Sequence, residues 1–330
     1  MTATISSERA RPDLRLPPRP RTAEGQPRRL GIELEFGDLT LEQTTGIVQT
    51  LFGGRIESRD PYRNEVVGTN CGDFLIELDA VLAHAEPGEG AGSEIEEVIA
   101  ERIGDVASLW LPMEIACPPV EIEEIERIEE LVDALREAGA TGTAQQLYYA
   151  FGCQFNPEVP GLDIATILRQ FRAYLLLEDW LRMVSGRDIS RRLLYFANPF
   201  PRRYARAVLA RGYDPDWPAF IEDYLEDNPT RNRDLDLLPL FAHVDRERLE
   251  RHLQDPRVKA RPTYHYRVPD SRIDEPDWSL TLEWNRWVLV EELAEDADHL
   301  EDMRQAFLKR ANGRNAWARE VEDKWLPRPA

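Results

Sequence analysis

The stretch LGIELEF, residues Leu30 to Phe36, decides the fold because apolar and polar side chains alternate along it. Read as a strand, it places its four large apolar side chains on one face and Glu33 and Glu35 on the other, since side chains alternate with a period of two. Two glutamates on one face repel each other, and Glu has a low preference for strands. The pattern therefore predicts a strand whose polar face has a functional role.

The same alternation recurs in four further segments, DFLIELDA, PMEIAC, AFGCQFN and SLTLEWN. Their polar faces carry Glu77, Asp79, Glu114, Gly152, Gln154, Asn156 and Glu283. An antiparallel sheet with one solvated side gives such alternation routinely, and that interpretation stays open. These segments, however, carry almost no Lys or Arg opposite their apolar residues. Clustered carboxylates raise one another's pKa, and a divalent cation such as Mg²⁺ removes that penalty. The pattern therefore favours a metal site.

Composition excludes several classes of protein. The formal charge of −20 over 330 residues disfavours a nucleic-acid or anionic-membrane surface, which needs a basic face. No window approaches the ~18 apolar residues of a membrane helix, and the first twenty residues lack the apolar stretch of a secretory signal. The three cysteines have neither a Cys-x-x-Cys pair nor zinc-type spacing, which suits a reducing compartment. We expect a cytoplasmic protein with no nucleic-acid and no membrane partner.

The order of the predicted elements indicates the fold class. Residues 1–28 are rich in Arg and Pro and are predicted to form a flexible tail, followed by a single domain over 29–330. Strands, hairpins and helices follow one another without strict alternation, which favours an α+β fold with a mixed, mostly antiparallel sheet. A helix is expected after Thr40, with Gln43 completing a capping box and Gly53 ending the helix. A helical insertion is predicted around 163–255.

Familiar nucleotide and nucleophile motifs are missing from the sequence. It has no Gly-x-x-x-x-Gly-Lys-Ser/Thr loop, no Gly-x-Gly-x-x-Gly after a strand, no Gly-x-Ser-x-Gly elbow and no helix-spaced pair of histidines. Arginines collect in two groups, between 187 and 211 and between 231 and 267. They either pair with surface acids or hold a phosphate or carboxylate. Arg267 is the preferred candidate for the second role, because TYHYR places Thr263, His265 and Arg267 on one face.

These motifs together resemble the amidoligase family of the carboxylate–amine ligase superfamily, which includes glutamine synthetase and glutamate–cysteine ligase. The first strand of that family reads Gly-hydrophobic-Glu-hydrophobic-Glu-Phe, and RRLGIELEFG is similar to it at Gly31, Glu33, Glu35 and Phe36. Its W-x-V-x-x-D motif corresponds to Phe74, Ile76 and Asp79, with Phe in place of Trp. Its Glu-Ile-Val-Ser-Pro-Pro segment resembles EIACPP, which contains Glu114.

The last two family motifs are altered in this chain. Where the family has Gly-x-His-x-His, the matching GCQFN places Gln154 and Asn156 at the histidine positions. The final motif, Thr-Ile-Glu-Phe-Arg, has two candidates. TYHYR keeps the arginine as Arg267 but has His265 for Glu, while TLEWN keeps Glu283 but has Asn for Arg. Both amide side chains can still hydrogen-bond a phosphate or a ribose.

The resemblance implies a fold and a reaction. The fold would be a curved, mostly antiparallel sheet with a carboxylate-lined concave face that carries ATP and Mg²⁺ (or Mn²⁺), and with helices packed on the other side. The reaction would convert the carboxylate of a small molecule or peptide into an acyl phosphate, from which an amine displaces phosphate to leave an amide. Homo-oligomerisation stays open.

The resemblance also assigns roles to residues. The implied metal ligands are Glu33, Glu35, Glu114, Glu283, Asp79 and Glu77; the implied nucleotide contacts are Gly152, Gln154 and Asn156; the implied catalytic residues are Arg267, Glu114 and Glu283. Two other classes stay open. One is a non-catalytic protein of ligase ancestry that binds a small molecule or a partner, and the other is a metal-dependent hydrolase that uses the same carboxylates.

Overall fold

The computed structural model describes residues 11–78, 112–143, 151–186, 197–310 and 313–326. These residues form an α+β fold around an open, mostly antiparallel sheet, which confirms the predicted class. The strands are β1 (Arg29–Phe36), β2 (Arg55–Asp60), β3 (Arg63–Thr69), β4 (Gly72–Leu78), β5 (Met113–Ala116), β6 (Val120–Glu121), β7 (Cys153–Pro157), β8 (Leu235–Asp236) and β9 (His265–Tyr266). Their order in the sheet is β2-β3-β4-β5-β1-β7-β9-β8, and β6 pairs with the start of β1.

Nine α-helices lie within the described residues. They are α1 (Leu41–Phe52), α2 (Glu126–Glu137), α3 (Ile164–Val184), α4 (Arg202–Val208), α5 (Trp217–Asp227), α6 (Leu238–His252), α7 (Leu280–Glu295), α8 (Ala297–Lys309) and α9 (Arg314–Glu320). None of the described helices is long and apolar enough to cross a membrane.

Strand β1 occupies the middle of the sheet, between β5 and β7. Its four large apolar side chains, from Leu30 to Phe36, are fully buried, while Glu33 and Glu35 are half-buried on the opposite face. The predicted strand and its two faces are therefore confirmed. Burying one face of β1 fixes its register, because a slip of one residue would turn every apolar side chain outward.

Helix α1 follows β1 and begins where the capping box predicts. The Gln43 backbone N–H donates to Thr40 Oγ1 at 3.2 Å, and the Thr40 N–H donates to Gln43 Oε1 at 2.9 Å. The helix ends before Gly53, which has a φ of 74°, a conformation that glycine adopts at little cost. Helix α3 lies within the region around 163–255 for which the sequence predicts helices.

The segment SLTLEWN, predicted as a strand, is instead the first part of helix α7. Ser279 caps this helix, accepting a hydrogen bond from the Leu282 N–H at 3.0 Å. Burial of Leu280, Trp284 and Trp287 follows the helical period, and the alternation over seven residues was too short to distinguish the two structures. The prediction that Glu283 lies on a strand was therefore wrong.

Helix α7 packs against the apolar face of the sheet. Trp284 contacts Phe155 of β7 edge to face at 6.4 Å between ring centroids, and Trp287 lies 5.0 Å from the ring of Tyr266 on β9. Phe155 and Tyr266 are paired residues, so both point to the same side. The neighbours of these residues along each strand, Gln154 among them, therefore point away from α7.

Part of the predicted tail, residues 11–28, lies within the described chain and contacts α7. Arg28 is fully buried and donates two hydrogen bonds to the Glu291 carboxylate, at 2.7 and 2.8 Å. Arg15 pairs with Glu292 at 2.6 Å. These contacts connect the segment to the domain. The boundary at residue 28 and the insertion over 163–255 stay predictions.

Candidate functional site

Three carboxylates lie side by side across three neighbouring strands. Glu77 of β4 is the direct partner of Glu114 of β5, and Glu114 is the direct partner of Glu35 of β1. Directly opposed residues of antiparallel strands have Cβ atoms about 4.5–5.5 Å apart and point to the same face. The structure thus brings together Glu77, Glu114 and Glu35, which the sequence placed on three separate segments. We call these three residues the carboxylate row.

Glu77 has a basic neighbour on the adjacent strand. Arg63 of β3 is its register partner and contacts the Glu77 carboxylate at 2.6 Å. Strand β3, which is not one of the five alternating segments, therefore adds a basic residue to this face. Pairing with Arg63 makes Glu77 less suited to hold a cation, because the arginine already offsets the charge of its carboxylate.

More polar side chains lie on the same face, two residues along β1 from Glu35 and on the neighbouring strand β7. Glu33 is the register partner of Gln154 on β7, and Gly31 is the partner of Asn156. Asn156 Nδ2 donates to Glu33 Oε1 at 2.8 Å, and Gln154 Nε2 donates to Asn156 Oδ1 at 2.8 Å. The three side chains therefore form one hydrogen-bonded chain, and both amides are buried.

Two glycines border these side chains for different reasons. A Cβ at position 31 would lie 3.3 Å from the Asn156 Cβ and 3.4 Å from its Nδ2, so the glycine leaves room for Asn156 beside Glu33. The Gly152 N–H donates to Glu35 Oε2 at 2.7 Å. A Cβ there would lie 3.4 Å from the same oxygen, an ordinary contact distance. In the folded chain the group next to Gly152 is therefore the Glu35 carboxylate.

The same face continues onto β9 and β8, where the charge changes sign. Because Phe155 pairs with Tyr266, the residues on either side of Tyr266, His265 and Arg267, share the face of Gln154 and Asn156. Asp236 of β8 is the register partner of His265. Arg267 Nη2 lies 3.4 Å from Asp236 Oδ2, which links β9 to β8. Arg267 thus lies two strands away from Glu33.

Burial controls protonation at this end of the sheet. It raises the pKa of Asp236, against the opposing effect of Arg267. It lowers the pKa of His265 well below its usual value, and the charges of Arg267, Arg261 and Arg231 act in the same direction. The imidazole is therefore neutral at neutral pH and can both donate and accept a hydrogen bond.

One predicted site residue lies apart from this face. Glu283 on α7 is fully buried and pairs with Arg286 at 2.6 Å, while burial raises the pKa of its carboxyl group. Burial, and then the charge of Glu283, raise the pKa of Cys153, whose side chain points to the opposite side of β7 from Gln154. The structure therefore separates Glu283 from the carboxylate row. Asp79 lies outside the described residues.

The carboxylate row fits some metal ions better than others. Among the described residues, no three His, Cys, Asp or Glu side chains converge into a preformed metal site. Structural zinc and calcium sites use several protein ligands, whereas Mg²⁺ is bound by one or two carboxylates together with phosphate oxygens and water. Adjacent glutamates on neighbouring strands therefore fit a cation that arrives together with a phosphate.

Sequence reasoning missed part of the basic end. Asp236 was missed because it lies on a strand of only two residues. Arg231 was included in the second arginine group, but it lies in the loop before that strand and belongs to no periodic segment. Strand β2, with the sequence RIESRD, was missed as well because it has few apolar residues. The alternation in TYHYR was the one signal that pointed to β9.

The sequence of the chain matches the model of one known protein family. A family model described as "Putative amidoligase enzyme" matches residues 26–289, well over half of the chain. The match begins just before β1 and ends within α7, so it includes every strand of the sheet. No curated protein and no solved structure gives a significant match.

Proposed function

The chain belongs to the amidoligase family, and on that premise we propose that it is an ATP- and Mg²⁺-dependent ligase. It joins the carboxylate of an amino acid or peptide to an amine. A substrate carboxylate oxygen attacks the γ-phosphorus of ATP, and the bond to the β-phosphate breaks to release ADP. The amine nitrogen then attacks the acyl carbon of the acyl phosphate, inorganic phosphate leaves, and the nitrogen loses a proton.

The observation that supports this proposal best is the carboxylate row, with Glu33 one pleat away on the same face. Glu35 and Glu114 are its proposed metal ligands, with Glu33 next to them and Glu77 in support. A bound Mg²⁺ would neutralise phosphate charge and orient the transferred group. Phosphoryl transfer asks mainly for positioning and charge stabilisation, so the absence of a nucleophile motif is compatible with it.

The remaining residues of the face have proposed roles as well. Gln154 and Asn156 are donors and acceptors at the edge of the carboxylates, suited to orient Glu33 and to contact the nucleotide. Arg267 is proposed to hold the γ-phosphate or the reacting carboxylate, since a guanidinium binds either in a bidentate manner. We also propose that this face is the concave face of a glutamine synthetase-like sheet. Glu283, buried beneath the sheet, is left out of the proposed metal site.

Phosphate release from ATP in the presence of Mg²⁺ tests the function. We expect release to require both an acid and an amine, found by screening amino acids and polyamines, with a product mass equal to acid plus amine minus water. Glu114→Gln should abolish most of this release, whereas Glu42→Gln, an exposed change on α1, should leave it unchanged.

The other two classes give different results in the same assay. A metal-dependent hydrolase would turn over substrate without ATP, and a binding protein would release no phosphate under any condition. Calorimetry with Mg²⁺ and ATP completes the test. If folded wild-type protein binds no ATP, the ligase proposal is wrong.

A further inference from the structure

The β8–β9 end of the sheet contains hydrogen-bond donors that have no acceptor among the residues that the structure describes. Thr263, His265 and Arg267 alternate along one segment and share a face, which is also the face of Asn156 on β7. In the described part of the chain, Thr263 Oγ1 and His265 Nε2 are both buried without a hydrogen-bond partner. Buried polar side-chain atoms are normally paired, so two on one face indicate a missing acceptor.

The hydrogen bonds of His265 show which of its nitrogens carries the proton. Arg267 Nη2 lies 3.4 Å from His265 Nδ1. A guanidinium can only donate, so Nδ1 is the acceptor and the proton of the neutral ring is on Nε2. The unpartnered Nε2 is therefore a donor. The Thr263 hydroxyl, which can also donate, lies two residues away on the same face.

Two arginines add positive charge around these donors. Arg231 is half-buried and Arg261 is exposed, and neither guanidinium has a hydrogen-bond or ion-pair partner among the residues that the structure describes. Both are close enough to His265 to lower its pKa. The nearby acids already have partners: Asp236 accepts from the Leu238 N–H at 2.9 Å and faces Arg267, and Asp255 pairs with Arg257 at 2.8 Å. The cluster thus has an excess of donors and of positive charge.

We propose that Thr263, His265, Arg231 and Arg261 form a subsite that binds an oxyanion, either a carboxylate or a phosphate group. A planar guanidinium binds both groups through paired oxygens, and a neutral imidazole N–H adds a directed donor. Assigning the oxyanion to a substrate of the ligase rests on the proposed function. The subsite itself rests only on the donors at this end of the sheet.

Strand spacing separates the subsite from the carboxylate row. Neighbouring strands are about 4.8 Å apart, so β9 lies roughly 10 Å from β1 and β8 roughly 14 Å. A group held by His265 is therefore distinct from one held at Glu35. If the oxyanion belongs to the acid substrate while Arg267 holds the γ-phosphate, that substrate carries a second anionic group besides the reacting carboxylate.

Calorimetry on metal-free, nucleotide-free protein tests the subsite with two probes, inorganic phosphate and glutarate, at constant ionic strength. We expect at least one probe to bind, and its affinity to fall about 10-fold or more in Arg231→Gln, since a charged hydrogen bond is lost. The isosteric Thr263→Val should weaken binding less. Arg246→Gln is the matched control, because Arg246 is a partly exposed arginine that pairs with Glu250 on α6. It should bind as the wild type does.

Competition identifies the source of the oxyanion. Displacement of phosphate by ATP with Mg²⁺ would assign the subsite to the nucleotide, and glutarate binding that persists beside ATP would assign it to the acid substrate. Wild-type protein that is folded by circular dichroism yet binds neither probe would overturn the subsite, as would equal losses in Arg231→Gln and Arg246→Gln. The first titrations contain no ATP. They therefore test the subsite even if the ligase proposal is wrong.

Discussion

The two ends of one sheet face carry opposite charge and are built in different ways. The acidic half contains Glu77, Glu114 and Glu35, which lie on three neighbouring strands, β4, β5 and β1. Buried apolar side chains on the opposite face fix the register of these strands. At the basic end, β8 and β9 are only two residues long, and the arginines come from the adjoining loops. Register positions the carboxylates, whereas loop structure positions most of the cations.

This difference has a chemical consequence for the proposed ligase. A row of like charges is stable only if cations or hydrogen-bond donors offset the repulsion, and the acidic half obtains donors from Arg63, Gly152 and Asn156. Within the described part of the chain, the basic end instead has donors without acceptors, Thr263 and His265 among them. One half of the face is therefore suited to a cation and the other half to an anion, as a metal–phosphate complex with an anionic substrate requires.

The strongest test of the comparison removes charge from the acidic half. We expect Glu35→Gln combined with Glu114→Gln to lower amine-dependent phosphate release by on the order of 100-fold or more, because metal binding supplies several kcal/mol of charge stabilisation. The same double variant should lose most of the rise in melting temperature that Mg²⁺ or Mn²⁺ gives the wild type. Thermal melts with and without metal, alongside the phosphate assay, provide the measurement.

Glu33→Gln belongs in the same experiment as an intermediate case, since Glu33 is one pleat from the row and already accepts a hydrogen bond from Asn156. We expect a smaller loss than in the double variant. If the double variant responds to metal as the wild type does, the face is an ordinary solvated sheet surface and not a metal site.

The next largest effect concerns the junction of the two halves, on β7. Asn156→Ala removes a hydrogen bond to the Glu33 carboxylate, worth about 1.5–3 kcal/mol, and Gln154→Ala removes a neutral one, worth about 1 kcal/mol. If both amides orient the nucleotide site, the KM for ATP should rise by roughly 10-fold or more in Asn156→Ala and by a few-fold in Gln154→Ala. Equal effects, or a larger effect from Gln154→Ala, would contradict the hydrogen-bonded chain.

The basic end predicts a pH dependence of stability. The folded-state pKa of His265 lies below the unfolded value of about 6.5, through burial and then through Arg267, Arg261 and Arg231, with Asp236 as the facing acid. Between the two pKa values the unfolded chain binds more protons, so stability is present above pH 6.5 and is lost as the pH falls below it.

The slope of that loss is at most about 1.4 kcal/mol per pH unit from this one group. Urea unfolding between pH 7.5 and pH 5 should show a shallower dependence in His265→Gln than in the wild type. His243→Gln, a change at an exposed position on α6, should follow the wild type. Identical slopes in all three proteins would mean that folding does not lower the pKa of His265.

The contrast between the halves also explains what the sequence could predict. The strands of the acidic half have apolar and polar faces that alternate over five or more residues, so Glu33, Glu35 and Glu77 could be placed on one face before their pairing was known. The register that puts Glu77 beside Glu114 depends on contacts far apart in the chain, which local patterns do not contain. The order of the family motifs, and not the periodicity, indicated that these carboxylates belong to one site.

Glu283 shows the limit of that reasoning. Seven residues of SLTLEWN alternate as a strand does, but the buried positions continue through Trp287 and Glu291 with the period of a helix. A window extended to α7's end would have favoured the helix. Arg231 and Asp236 carried no periodic signal at all, because loops and two-residue strands are positioned by the surrounding fold.

The smallest expected effect, on the order of 1 kcal/mol, tests the fit between Gly31 and Asn156. Gly31→Ala places a Cβ 3.3 Å from the Asn156 Cβ, so one side chain must shift, and we expect a loss of about 1 kcal/mol of unfolding free energy with a weaker metal response. Gly46→Ala is the matched control: it lies inside α1 with open space around it and should stabilise by about 0.8–1 kcal/mol. Urea unfolding of both variants measures whether each substitution lowers or raises the free energy of unfolding. A stabilised Gly31→Ala with a full metal response would mean that Asn156 can leave Glu33 without consequence, and that the acidic half is held by the strand register alone.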